Sequence, residues 1–429
     1  MKKKILLVIF LIVILAIAII IMNIALNRVT IEKTNNIVKT EKFNQYNADK
    51  LYKIGSNYLL ISYHYNDNGT KDSIITMYDK DFKEKWSNTY SPEKLYDQFK
   101  TEKEDIPNGQ GPHSSYIEDV YIKDDNTFYY IVNVYNEVPE DVDGLIYNNK
   151  LLIGKDINNN TLFEKKNFDE EDDNASNYDE IMYVDDKYIY ALTGSDEIYE
   201  VIDIKTMKTI NCPRIEVYDT SENRILLSGI LGADDEYIYA GFQDDEDQTI
   251  KFARLNLKNG IPDKEIDLKE YQKKDSAIEY TKMLKTEDKI YLYYSDFEDK
   301  SNIQGVLIID KNFNITKNIK IKRKSKIYNN YFQDKTLLYE HNNKVYVATD
   351  YTYDGAVLSI TEISDTDSIN STKYYSAFKD NDCLYDYEEG YYDFYYEKEK
   401  GIEFYCTGMN EQENKSELIR EFIPTMKQK

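Results

Sequence analysis

The sequence predicts an all-β fold, a β-propeller of about seven four-stranded antiparallel blades preceded by one N-terminal transmembrane helix. Three observations lead there. A short hydrophobic strand recurs at a near-regular interval, an Asp-containing turn follows it in several copies, and the first residues hold a long apolar run.

The apolar run comes first. Residues Ile5 to Leu26 are apolar apart from Asn23, with Lys2, Lys3 and Lys4 before them. As a helix their 22 residues span about 33 Å, enough for a hydrocarbon core of about 30 Å. The lysines hold the N-terminus in the cytoplasm and send the rest of the chain outward. A cleaved signal peptide is the competing reading, but the Ala-x-Ala at Ala16 and Ala18 lies inside the run, with Ile19 to Met22 still to follow. The small residues Ala16, Ala18 and Ala25 are too few for a helix-packing face, so a plain tether is expected. This divides the chain into a cytoplasmic tail at 1–4, a signal anchor at 5–26, a stalk or ring-closing strand at 27–49 and a propeller domain at 50–429.

Beyond the anchor, the recurring strand reads Asn57–Ser62, Thr127–Val132, Lys187–Leu192, Glu236–Gly241, Lys289–Tyr294, Lys344–Thr349 and Gly401–Cys406. Aligned on Leu60, Tyr130, Tyr190, Tyr239, Leu292, Val347 and Phe404, the copies stand 70, 60, 49, 53, 55 and 57 residues apart. Short blocks of β-branched and aromatic residues between Asp, Asn and Gly clusters are strands, and a period of this length is that of blades. In Tyr188–Leu192 both faces are apolar, as a sheet sandwiched between two others requires. Six or eight blades would also fit, because the first and last units are the least regular.

The clearest unit orders its strands as Glu180–Val184, Lys187–Thr193, Ile198–Ile204 and Lys208–Ile210. Its Asp-turn phrase, Val201–Ile210, returns as Met77–Trp86, Leu255–Gly260 and Ile309–Ile315. The pairs Asp124-Asp125, Asp185-Asp186 and Asp234-Asp235 recur at another turn, where Asp caps its own backbone. Three stretches exceed what a blade needs: Ser91–Asp119, with a short helix over Pro92–Lys100, then Asn136–Asn149 and Phe168–Tyr178. Binding residues concentrate on such insertions. At the C-terminus Ser416–Ile423 reads as a strand; Arg28–Asn44 would either close the ring against it or belong to a disordered stalk over Asn27–Asp49.

The Asp-turn phrase, read most fully in Tyr78-Asp79-Lys80-Asp81-Phe82-Lys83-Glu84-Lys85-Trp86, resembles the repeat of bacterial quinoprotein-like extracytoplasmic β-propellers. The resemblance covers about residues 50 to 423 and implies the fold. Those propellers carry a docking tryptophan in most blades, whereas this chain has only Trp86, so the resemblance implies no quinone cofactor.

The chain holds 54 basic and 78 acidic residues; without Lys2 to Lys4 the balance is 51 against 78, a net charge near −27. Nucleic acid and anionic lipid are poor partners for such a surface. Cys212, Cys383 and Cys406 make no disulfide framework, although Cys383 and Cys406 would bridge if their strands adjoined. His64, His113 and His341 sit in no ligand spacing, and no nucleophile elbow, phosphate loop or Cys-x-x-Cys is present. Calcium is the functional alternative for the chain's carboxylates, at Asp244–Asp247 or Asp169–Asp173, neither with the order of a dedicated loop. The tyrosine-rich tract around Tyr385, Tyr387, Tyr391, Tyr392, Tyr395 and Tyr396 reads as strand packing, with sugar or partner binding as the functional alternative.

No catalytic, cofactor or metal residue is therefore assigned. The expected function is a membrane-tethered, extracytoplasmic, non-enzymatic binding module for a protein or cell-wall partner. The alternative is a propeller enzyme acting on cell-wall carbohydrate or peptide with acidic channel residues; a cluster of carboxylates and Arg at the channel would favour it.

Overall fold

The computed structural model describes residues 31–33, 37–42, 48–99, 112–136, 148–166, 178–193, 198–210, 219–220, 223–244, 250–258, 261–268, 271, 278–296, 304–321, 332–352, 356–364, 372–377, 391–397, 401–410 and 415–424. The Ile5–Leu26 run, Cys212, Cys383 and Asp169–Asp173 lie outside them. Among the described residues no helix is long and apolar enough to cross a membrane.

Nearly every described residue is in a strand. The first two strands, β1 (Ile31–Lys33) and β2 (Ile37–Lys42), join sheets completed by the end of the chain. Then β3 (Ala48–Ile54), β4 (Asn57–Tyr65), β5 (Lys71–Tyr78) and β6 (Glu84–Tyr90) make an antiparallel meander. Helix α1 (Pro92–Phe99) follows, with Pro92 where its missing N–H costs nothing and Leu95 buried. A second meander holds β7 (Pro112–Ile122), β8 (Thr127–Asn136), β9 (Asn148–Asp156) and β10 (Thr161–Lys166), and one parallel contact, Lys71 to Ser114, joins it to the first.

The next sheet has β11 (Tyr178–Val184), β12 (Tyr188–Thr193) and β13 (Ile198–Asp203). Its expected fourth strand is reduced to a bridge between Ile202 and Thr209, with Ile210 N–H donating to the Val201 carbonyl. The pair β14 (Asp219–Thr220) and β15 (Asn223–Ala233) leads into β16 (Tyr237–Asp244), β17 (Ile250–Asn256) and β18 (Pro262–Asp267). Two further meanders follow, β19 (Ile278–Lys285), β20 (Lys289–Asp296), β21 (Gln304–Asp310), β22 (Ile315–Lys320), and then β23 (Phe332–His341), β24 (Lys344–Thr352), β25 (Ala356–Ile363), β26 (Thr372–Ala377). The chain ends with β27 (Tyr391–Glu397), β28 (Gly401–Asn410) and β29 (Lys415–Pro424).

The arrangement is propeller-like because consecutive sheets pack face to face. Along β8, Tyr129 and Ile131 pack with Ile181, Ile189 and Ile202 of the following sheet, while Phe128, Tyr130 and Val132 pack with Ile61, Ile75 and Met77 of the preceding one. The same alternation runs through β20, where Leu292 and Tyr294 meet Phe252 while Tyr291 and Tyr293 meet Val345 and Val347. Period-two side-chain direction thus feeds two cores from one strand, which is why neither face is polar. Leu51, Tyr58, Leu60 and Tyr78 of the first meander share a cluster with Tyr405 of β28, so the beginning and end of the chain pack together.

A buried polar group stands at that same junction. Lys53 Nζ donates to Glu403 Oε2 at 2.6 Å and to the Tyr58 hydroxyl at 2.9 Å, and the hydroxyl donates to Glu403 Oε1. All three residues are buried.

A strand from the N-terminal segment lies on the last sheet: β2 pairs antiparallel with β29, Thr40 opposite Ile419. Unforeseen in the sequence, β1 pairs parallel with β26 of the preceding sheet, Ile31 opposite Tyr374.

Candidate functional site

The Asp turns are built as hairpin caps. Asp79 Oδ1 accepts the N–H groups of Asp81 and Lys83, Asp156 Oδ1 those of Asn158 and Asn160, and Asp310 Oδ1 that of Asn314. The residue three positions on takes positive φ: Phe82 at 61°, Asn159 at 71° and Phe313 at 63°. Hydrogen bonding of this kind holds the carboxyls of Asp79, Asp156 and Asp310 below the usual carboxylate range. In the doublets the two carboxylates differ in role. Asp185 caps Lys187 and Tyr188, whereas Asp186 takes Lys123 of the preceding sheet at 2.7 Å. Asp235 takes Lys187, and Asp234 caps its own turn while accepting Lys285 of the next sheet. The carboxylates at regular intervals are thus spent on turns and sheet-to-sheet links.

Among the described residues no group of three His, Cys, Asp or Glu is arranged to hold a metal ion. Of Asp244–Asp247 only Asp244 is described, at the end of β16. His64 is exposed, His341 Nδ1 pairs with the Tyr396 hydroxyl at 2.5 Å, and the His113 side chain lies outside the described residues. From the tyrosine tract, Tyr396 stacks on Tyr339 at 4.2 Å and the Tyr395 hydroxyl donates to Asp125 Oδ1 at 2.7 Å, which is sheet packing. Tyr385 and Tyr387 lie outside the described residues, as do the side chains of Tyr391 and Tyr392.

Two arrangements remain that the sequence did not single out. The first lies on the opening strands of the early sheets, which pack beside one another. Each is bulged: the register shifts between Ala48 and Lys50, Ile117 and Asp119, Tyr178 and Glu180, Leu227 and Gly229, Tyr280 and Lys282, and Gln333 and Thr336. A bulge re-aims the side chains beside it. Burial pushes the Asp119 carboxyl up, with Glu118 adding to the shift, against the Ile181 N–H at 2.7 Å and Lys50, which pull it down. Glu180 is raised by burial and by the Asp119 charge. Glu118 is itself held by Lys150 at 2.9 Å and by the Asn133 amide at 2.7 Å, and Asn133 Oδ1 is buried without a hydrogen-bond partner. The cluster mixes lysines with carboxylates. A signal was available: the charged doublets Asp49-Lys50, Glu118-Asp119, Asp179-Glu180 and Asp334-Lys335 recur just before apolar strand residues.

The second arrangement is at the opposite edge from the Asp turns. In an antiparallel meander the turns after the first and third strands share one edge, and the remaining connections share the other. That other edge receives the ends Tyr65, Lys71, Tyr90, Pro112, Asn136, Asn148, Lys166 and Tyr178, where all three long insertions depart. There Lys71 Nζ lies 3.9 Å from the rings of both Tyr63 and Tyr116 and 5.9 Å from that of Tyr65. The ammonium is attracted to the negative ring faces and closes the group from within. Tyr65 is 59 % exposed and Tyr116 36 % exposed, so two large aromatics gathered around one lysine reach water. Sequence alone does not reveal this, because Tyr116 comes to Lys71 only through the stacking of separate meanders.

No protein-family profile matches the chain. No curated protein matches it in sequence. Similar solved structures include the WD40 domain of SCAP from fission yeast, with a TM-score of 0.41 and 10 % identity over 90 % of this chain and 91 % of that one. Prolyl oligopeptidase B from Galerina marginata, bound to a 35mer hydrolysis and macrocyclization substrate, has a TM-score of 0.36 and 9 % identity over 87 % of this chain and 55 % of that one. A protein of unknown function from Bacteroides caccae has a TM-score of 0.33 and 9 % identity over 65 % of this chain and 83 % of that one. With every TM-score below 0.5, what is said of this chain's function rests on its own residues.

Proposed function

We propose that this protein is a seven-bladed β-propeller held outside the cell by the Ile5–Leu26 helix, and that it works without a reaction of its own, binding a protein or cell-wall partner through the tyrosine-lined rim. The exposed pair Tyr65 and Tyr116 around Lys71 carries the reading. Tyrosines present a large apolar face with a polar tip and are enriched where proteins bind one another. The seven blades are drawn from the strand groups β3–β6, β7–β10, β11–β13 with Thr209, β15–β18, β19–β22, β23–β26 and β27–β29 with β2. Kinship with quinoprotein-like propellers is supported by the Asp-turn phrase alone.

A second reading has its own observation. Asp119 and Glu180 are neighbouring carboxyls, both raised, and raised carboxyls serve as general acids. The binding reading is preferred because Asp119 bridges its sheet to the next through the Ile181 N–H.

Crosslinked capture of partners from native membranes by the full chain tests both. The double variant Tyr65→Ser, Tyr116→Ser is expected to lose about tenfold or more of its captured partner at an unchanged melting temperature, as removal of two aromatic anchors does. Equal capture by the variant sinks the rim reading. Recovery of cleaved wall fragments that disappear with Asp119→Asn would instead establish the enzyme.

A further inference from the structure

The strand β1 fixes which way the molecule faces, and this rests on the anchored reading above. We infer that the Asp-turn edge lies against the membrane and that the rim bearing Tyr63, Tyr65, Tyr116 and Lys71 is presented outward, to a partner beyond the bilayer rather than to one embedded in it.

Three steps lead there. Strand β1 is the outermost strand of its sheet, in the order β1, β26, β25, β24, β23, and it runs parallel to β26. Strand β26 is the fourth of its meander, so it starts at the edge that holds the Asp turns and runs toward the rim. The chain therefore enters β1 from the Asp-turn side, with Ile31 toward that edge and Lys33 toward the rim.

The neighbouring sheets keep the same polarity. Their turns touch one another: Lys123 reaches Asp186, Lys187 reaches Asp235, His341 reaches Tyr396 and Tyr395 reaches Asp125. One edge of one sheet thus stands for one face of the whole.

The tether is short. Five Cα steps separate Leu26, the last residue of the apolar run, from Ile31, and a fully extended chain covers about 18 Å in five steps. The headgroup layer takes roughly 6 Å of that. The Asp-turn edge can stand no more than about one layer of protein above the lipid surface, since packed elements are spaced by about 10 Å. The nine residues of β4 then carry the rim about 30 Å further out.

The full chain, reconstituted in phosphatidylcholine vesicles carrying an acceptor dye on the headgroup, tests the orientation. Donor dyes are placed on Lys258→Cys, in an exposed turn of the Asp edge, and on Asp67→Cys, exposed at the rim, with Cys212→Ser, Cys383→Ser and Cys406→Ser throughout. Energy transfer severalfold higher from position 258 than from position 67 is the expected result. A flexible Gly/Ser spacer of about 20 residues between Leu26 and Ile31 should bring the two signals together. Equal or reversed transfer without the spacer overturns the orientation while leaving the anchor intact. Protein that fails to float with the vesicles refutes the anchor itself.

Discussion

Glu403 shows how much a single residue decides in this ring. Its carboxylate is buried and takes both the Lys53 ammonium of β3 and the Tyr58 hydroxyl of β4, 350 and 345 positions away in sequence. A buried ion pair costs desolvation to form, but breaking it from one side leaves an uncompensated charge. Glu403→Gln is expected to cost about 3–5 kcal/mol in denaturant unfolding of the chain from Asn27 on, whereas the paired change Lys53→Met, Glu403→Leu should cost less than Glu403→Gln alone. If the single change proves neutral, the contact does not hold the first and last sheets together. A different residue-scale balance is struck at Phe313. An aromatic residue at positive φ is strained, yet its ring stacks on Phe252 at 5.3 Å and on Tyr239, and Phe82 does the same against Tyr78 and Tyr58. Ring burial offsets the backbone strain, which is why these turns use Phe where Asn or Gly would be easier.

At the scale of elements, the hairpin is the unit, and its Asp turn makes stability depend on acid. Asp79, Asp156 and Asp310 have folded values lowered below the model-peptide 3.8, so their contribution is fully present above the unfolded value and is lost as pH falls through the folded one. In that window the unfolded chain binds more protons than the folded chain. The triple variant Asp79→Asn, Asp156→Asn, Asp310→Asn should take up fewer protons on acid unfolding, by up to about three, and show a flatter dependence of the denaturant midpoint on pH below 4. An unchanged slope would mean that these carboxylates are as well solvated in the unfolded chain as in the turn. Raised Asp119 and Glu180 act with the opposite sign, gaining stability as they protonate. These hairpins were legible in the sequence because capping is local: Asp, two or three turn residues and a strand are all within ten positions. The bulges of the opening strands showed only as recurring charged doublets such as Glu118-Asp119 and Asp179-Glu180, since the strands that pack there come from separate sheets. The same limit hid the Tyr63, Tyr65, Tyr116 and Lys71 group, whose members come from two meanders.

At the scale of the molecule, the sequence carries the repeat but not its closure. Apolar periodicity names β4, β8, β12, β16, β20, β24 and β28, the first five of which each feed two cores, while polar β1 and β2 give no such signal. They are strands because partners wait for them: β2 covers β29, and β1 covers β26. An uncovered β29 would present a ten-residue row of unpaired backbone groups, the kind of edge that recruits other chains. A chain beginning at Asn27 should therefore stay monomeric, and one beginning at Ala48 should unfold at lower denaturant and associate through the bared edges. The loss is expected to be about 3 kcal/mol or more, from several net backbone hydrogen bonds of about 0.5–1.5 kcal/mol each. Adding a peptide with the sequence of residues 27–47 should restore the midpoint and the monomer, because the edge it fills is still there. If the shorter domain is as stable and as monomeric as the longer one, β1 and β2 merely rest on the ring, and the tether would no longer set its orientation.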